Sequence, residues 1–355
     1  MIKYISSHIT SLKYIYSLIK HNEDNPPEIK FSDEYYEGPN KQDIPLRIFH
    51  PKKTKKLSVI IFPGASPLAE NHPAMINLAS IIANLGYKVF VPRIDPLKNL
   101  DIKDVNIQWF ANAYEKIVNR DDIDSSRVAI TGISFGGSLL LSSISDDRMQ
   151  SPAPKSAMIY GAAFDLNVGF KFLLNGEITH NDETVRIKPN EWGVSVILHN
   201  FLSKVDVGFD TSQIREVLNY RMKDDMDKVE EFMLTLNNHD KEFMQAVLDV
   251  EYTDQIKNII FQIMEERKEE INKFSPQNIS HKIKNKIFIM HGANDSMVPF
   301  TESVQMHKNI KDSELLISYL YEHREISNNR GIFFKLYELI KMERFFAAYF
   351  RYNES

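Results

Sequence analysis

The chain has 355 residues, 43% of them hydrophobic, with 43 Lys plus Arg against 48 Asp plus Glu and a formal charge of −5. That is apolar material enough for a large buried core, which excludes dominant disorder and a small stapled module, and the acidic balance gives no field to hold a phosphate backbone, so nucleic acid is not an expected partner. The absence of Cys removes disulfides, thiolate metal ligands and any cysteine nucleophile together, and fits a reducing, cytoplasmic compartment.

In chain order, residues 1–30 open with apolar positions Ile2, Ile5, Ile9, Leu12, Ile15, Tyr16 and Ile19 at near-helical spacing. They predict an amphipathic helix packing on its own domain; a peripheral membrane contact or a homodimer contact through residues 1–20 is the alternative reading. The segment lacks the compact apolar stretch and small-residue cleavage site of a signal peptide. No run reaches the roughly 20 apolar residues of a bilayer span. Tyr35-Tyr36 and Ile44–Phe49 predict an entry hairpin. Leu57–Phe62, Tyr87–Val91, Arg127–Thr131 and Ala157–Tyr160 are near-continuous apolar runs, each closed by Gly or Pro, as strands covered on both faces should be. Between them Pro73–Leu85, Ile102–Val118 and Phe135–Ser145 read as crossover helices, the signature of a mostly parallel sheet.

From Leu166 the alternation stops, and residues 166–274 carry helical patterns such as Val229, Phe232, Met233 and Leu236, or Ile256, Ile259, Ile260 and Ile263. These stripes predict inner faces of packed helices in an insertion. Strand character returns at Lys286–Met290 and Glu314–Tyr319, before a long helical pattern over Ile332–Phe350. The expected fold is therefore α/β, with a core of 31–165 and 275–355 built on about eight strands.

The sharpest chemical signal is Gly132-Ile133-Ser134-Phe135-Gly136-Gly137, directly after a predicted strand and directly opening a predicted helix. A serine on a tight strand-to-helix turn projects its hydroxyl from the sheet edge, and small residues on either side are needed for the turn to close. Its hydroxyl needs a base, so a histidine and a carboxylate must come from loops at the carboxyl ends of later strands. Asp295, in His291-Gly292-Ala293-Asn294-Asp295, and His323, after the strand Glu314–Tyr319, occupy such loops. Asp165 is the alternative position for the acid, and Arg93 with Asp95 reads as a loop-anchoring salt bridge. His291 reads as a structural partner of its turn, and His72 as either a site-lining or a solvent-facing residue.

On these residues the chain resembles a serine hydrolase of the α/β-hydrolase fold, carboxylesterase-like, over roughly Tyr35 to Phe350 apart from the insertion. The resemblance implies Ser134 as nucleophile, His323 as general base and acid, Asp295 as the orienting carboxylate, and a helical cap over 166–274. It implies an oxyanion hole from the N–H of Phe135 and a second N–H in Phe62-Pro63-Gly64-Ala65. Ala65 is the matching position, although relatives commonly carry His-Gly or a glycine run there. The expected substrate is a small-molecule ester, hydrolysed through an acyl-serine; a peptidase or amide hydrolase, or an acyltransferase on the same triad, is the alternative, and a non-catalytic binding module a further one. No His-Glu-x-x-His, P-loop or Gly-x-Gly-x-x-Gly follows a strand in this sequence, so no metal or cofactor is expected.

Overall fold

Short runs rich in Val, Ile and Phe, each too brief for a helix and stopped by Gly or Pro, become strands here because both faces can be covered by helices. The computed structural model describes residues 2–320 and 331–355. Helix α1 (Ile2–Lys20) precedes β1 (Lys30–Glu37), β2 (Asp43–His50), β3 (Ser58–Phe62), α2 (Pro73–Asn84), β4 (Lys88–Pro92), α3 (Asp95–Lys98), α4 (Val105–Val118), β5 (Val128–Ile133), α5 (Phe135–Ser143) and β6 (Ser156–Tyr160). Then come α6 (Leu166–Asn175), β7 (Glu177–His180), β8 (Glu183–Arg186), α7 (Glu191–Phe201), α8 (Ser212–Met222), α9 (Met226–Met233), α10 (Asn238–Asp249), α11 (Asp254–Glu266) and α12 (Lys268–Asn272). The core closes with β9 (Lys286–Gly292), α13 (Thr301–Asn309), β10 (Ser313–Ser318) and α14 (Ile332–Glu354).

One sheet runs in the order β1-β2-β4-β3-β5-β6-β9-β10. Strand β2 is antiparallel to both β1 and β4, and every later pairing is parallel. This is a mostly parallel eight-stranded α/β sheet. Strand alternation sorts the two layers. Val59 and Ile61 pack with residues of α2 and α14, while Ile60 and Phe62 pack with residues of α4 and α5.

Two expectations need correction. The segment between β6 and β9 is not purely helical: β7 and β8 form an antiparallel hairpin, with Asn181 and Asp182 at φ 50° and 64° in its tip. Asn and Asp tolerate the left-handed backbone that such a tight turn requires. Helix α1 does pack on its own domain, but by the other face. Its inward residues are Ser7, Thr10, Ser11, Tyr14, Ile15 and Ser17, with Ser11 Oγ donating to the Glu343 carbonyl at 2.7 Å. The Tyr14 ring meets Phe346 edge-on at 4.7 Å. Ile5, Ile9, Leu12, Tyr16 and Ile19 point to solvent.

Candidate active site

Ser134 stands between the last residue of β5 and the first of α5, at φ 53° and ψ −132°. A non-glycine residue there carries roughly 1–3 kcal/mol of backbone strain, which the surrounding structure must impose. Its N–H donates to the Tyr160 carbonyl on β6 at 2.7 Å, and its own carbonyl accepts from Gly137 N–H at 2.8 Å. The glycines are steric requirements. A Cβ on Gly132 would lie 2.7 Å from Gly137 Cα, and one on Gly136 would lie 2.0 Å from the Pro63 carbonyl oxygen. The turn is held shut by backbone against backbone.

That contact also places the loop after β3. A Cβ on Gly64 would sit 3.4 Å from Ser134 Cβ, so the Pro63-Gly64-Ala65 segment lies directly beside the serine. Among the described residues, the N–H groups of Phe135 and Ala65 donate no hydrogen bond, and Phe135 sits at the amino end of α5, where helix N–H groups are unspent. The loop is braced from behind. Buried Glu70 pairs with Arg93, whose Nε lies 3.0 Å from both carboxylate oxygens, and Tyr36 OH donates to the Arg93 carbonyl at 2.5 Å. The anchoring partner of Arg93 is thus Glu70, across from the neighbouring loop, rather than Asp95. His72 caps α2, accepting the Ala74 N–H on Nδ1.

The carboxyl edge of the sheet carries the remaining candidates. A ladder of backbone bonds runs along it: Ser134 N–H to Tyr160, Gly161 N–H to Met290, and Ala293 N–H to Ser318. With strands spaced by about 4.8 Å, the loop after β9 begins two strand positions from the elbow, and the chain leaving β10 begins three. Asp295 lies in the first of these loops, with only 1% of its surface exposed. Its Oδ1 accepts from Met297 N–H at 2.7 Å and Val298 N–H at 3.0 Å. His323 lies outside the described residues, three positions beyond the last residue described after β10.

His291 does not compete as a base. Its Nε2 lies 3.0 Å from the Val298 carbonyl and its Nδ1 2.7 Å from Ser303 Oγ. A carbonyl only accepts, so Nε2 donates to it. The ring is fully buried, with Asp295 Oδ2 at 3.6 Å, and it ties the turn together. Asp165, the alternative acid, caps α6 by accepting the Asn167 N–H at 3.0 Å.

One further carboxyl group is buried at this edge. Glu302 on α13 is buried, and its Oε2 accepts the N–H groups of Phe164 at 2.8 Å and Asp165 at 2.6 Å. It thereby fastens the loop after β6 to the helix after Asp295. Nothing in the sequence marks it, since Glu in a first helical turn is ordinary. Burial pushes its pKa up to about 7, with the Asp165 charge adding and the two backbone donors opposing. A carboxyl group raised above its unfolded value stabilises the fold below that value, and the contribution is lost as pH rises through the folded pKa. Stability should therefore fall between about pH 4.5 and 7, by about 3 kcal/mol at most. In Glu302→Gln that slope should flatten, which thermal melting across the pH range measures.

The segment between β6 and β9 is stitched at its root and reaches over the edge. Leu166 N–H donates to Ser275 Oγ at 3.1 Å and Gln277 N–H to the Phe164 carbonyl at 3.2 Å, so its two ends lie together. Asn200 of α7 accepts the Ile102 N–H and donates to the Leu100 carbonyl, beyond β4. Asn190 N–H donates to the Ser296 carbonyl, beyond β9. Since β3, β5 and β6 lie between β4 and β9, the segment bridges the stretch of edge that holds Ser134. A cavity of about 670 Å³ lies elsewhere, under α1, against Val59, Thr131 and Met158 of the sheet. None of Ser134, Phe135, Ala65 or Asp295 lines it.

No family model matches this sequence, and no curated protein matches it. Solved structures with a similar arrangement include a puromycin-hydrolyzing peptidase of Mycobacterium tuberculosis, at 13% identity, 91% of this chain, 38% of that one and a TM-score of 0.49. The acylaminoacyl peptidase of Pyrococcus horikoshii gives 14% identity over 83% of this chain and 37% of that one, with a TM-score of 0.46. A serine hydrolase from the polyaromatic hydrocarbon-degrading bacterium Cycloclasticus zankles gives 13%, 89%, 94% and 0.44. The chain spans well under half the length of the first two.

Proposed function

We propose that the protein is a serine hydrolase that cleaves a carboxylic ester of small or medium size through an acyl-serine intermediate. The observation that carries this reading is the strained backbone of Ser134 at the β5–α5 turn, locked by glycines whose neighbours leave no room for a side chain. Such strain is expected where it holds a reacting group in place.

In this reading His323 takes the Ser134 hydroxyl proton as Oγ attacks the ester carbonyl, and the negative charge develops on the carbonyl oxygen. The N–H groups of Phe135 and Ala65 receive that charge, aided by the positive end of α5. His323 then gives the proton to the departing alcohol, leaving an acyl-serine. Water repeats the sequence in reverse order of groups and frees the acid. Asp295, held by its two backbone donors, orients His323 and stabilises the imidazolium. The bridging segment over residues 166–274 is the cap that shapes the pocket for the acyl or alcohol group.

Pre-steady-state kinetics test the acyl-enzyme directly. With a panel of p-nitrophenyl esters of graded chain length, at least one ester should give a burst of p-nitrophenol equal to one equivalent per chain. Amide and peptide substrates follow the same steps and belong in the same panel; turnover of amides with none of esters would replace the esterase assignment by an amidase. Ester turnover without any trapped acyl-enzyme would remove the serine mechanism.

A further inference from the structure

The solvent-facing stripe of α1 is an apolar surface that the described fold leaves uncovered. Ile5, Ile9, Leu12, Tyr16 and Ile19 recur at steps of four and three and are 49–61% exposed, so they form one apolar band along the helix. The helix turns Ser7, Thr10, Ser11 and Ser17 inward instead. A helix shaped only to pack on its own core would bury that band, so the stripe calls for something outside the fold.

Charge identifies the occupant. Helix α1 carries Lys3, Lys13 and Lys20, all exposed, and no Asp or Glu, in a chain whose net charge is −5. The loop Pro51-Lys52-Lys53-Thr54-Lys55-Lys56 adds further cations, with Lys52, Lys53 and Lys56 exposed. It lies next to the band: Ile5, Ile9 and Lys13 line a common groove with Lys55. Apolar residues flanked by lysines, with Tyr4 and Tyr16 among them, match the boundary between acyl chains and anionic headgroups.

We infer that α1 and the 51–56 loop form a docking surface for an anionic lipid bilayer, on which the helix lies flat. None of the described helices is long and apolar enough to cross a membrane, so the contact is peripheral. A second copy of the chain suits the face less well. A two-fold contact sets the same patch against itself, so it would bring two lysine clusters together, whereas a bilayer rich in acidic lipids neutralises them.

Vesicle flotation of the full chain tests this. It should float with phosphatidylcholine vesicles containing one-third phosphatidylserine, stay in solution with phosphatidylcholine alone, and release in high salt. Lys52→Gln/Lys53→Gln/Lys56→Gln should weaken binding roughly a hundredfold, since each lysine near an anionic surface contributes about a factor of five. Ile9→Glu/Leu12→Glu should abolish flotation while leaving the melting temperature and soluble-ester turnover unchanged, because both side chains already face water. No flotation of the wild type with phosphatidylserine vesicles at low salt would overturn the inference. So would a wild-type dimer in light scattering that Ile9→Glu/Leu12→Glu dissociates without altering flotation, which would assign the face to a second copy.

Discussion

Replacing Ser134 with alanine is expected to lower kcat for the best ester by a factor on the order of 10⁶, the scale at which a serine–histidine–carboxylate triad loses its nucleophile. The fold should survive. Alanine has the same Cβ as serine, so it meets no new neighbour and keeps the same strained φ of 53°. Ser134→Gly separates the two consequences of the elbow. Glycine occupies positive φ without steric penalty, so this variant should be equally inactive yet more stable than Ser134→Ala by about 1 kcal/mol. Steady-state kinetics and thermal melting of the three proteins check both halves. An alanine variant with wild-type turnover would remove Ser134 from the reaction.

Asp295 should show the second-largest effect, and its two substitutions should divide it. The carboxylate is buried and already accepts two backbone N–H groups on one oxygen. In Asp295→Asn the amide oxygen can keep those two bonds, so the turn before α13 should hold, while the charge that stabilises an imidazolium is gone. Turnover should fall on the order of 10⁴-fold with little change in melting temperature. In Asp295→Ala the same catalytic loss should be joined by destabilisation, since buried donors left without acceptors cost about 1–3 kcal/mol each. If Asp295→Asn remained fully active, Asp295 would be a structural cap and the acid would have to be sought elsewhere.

The parts of this protein most legible in its sequence are those fixed by local sterics and burial. The apolar runs of β3, β4, β5 and β6 lie within two residues of the observed strands; β3 and β6 stop just before Pro63 and Gly161, whereas β4 takes in Pro92 and β5 continues through Gly132 to Ile133. The elbow was readable because only glycine fits beside backbone at 132 and 136. Features set by long-range packing were not readable. The face that α1 turns inward depends on what α14 offers, here the Glu343 carbonyl and the Phe346 ring, and neither follows from the helix's own pattern. The β7–β8 hairpin has few apolar residues, Ile178 being its one buried aliphatic, so alternation gives no signal. Glu302 and the Glu70–Arg93 pair join residues distant in sequence, and spacing cannot reveal them.

Covalent labelling with a fluorophosphonate, followed by mass spectrometry of the cleaved peptides, tests the central claim most directly. A serine activated at this turn should take up one adduct per chain, mapped to Ser134, at the same rate as ester turnover is lost. An active protein that acquires no adduct, or carries it on any other residue, would contradict the account.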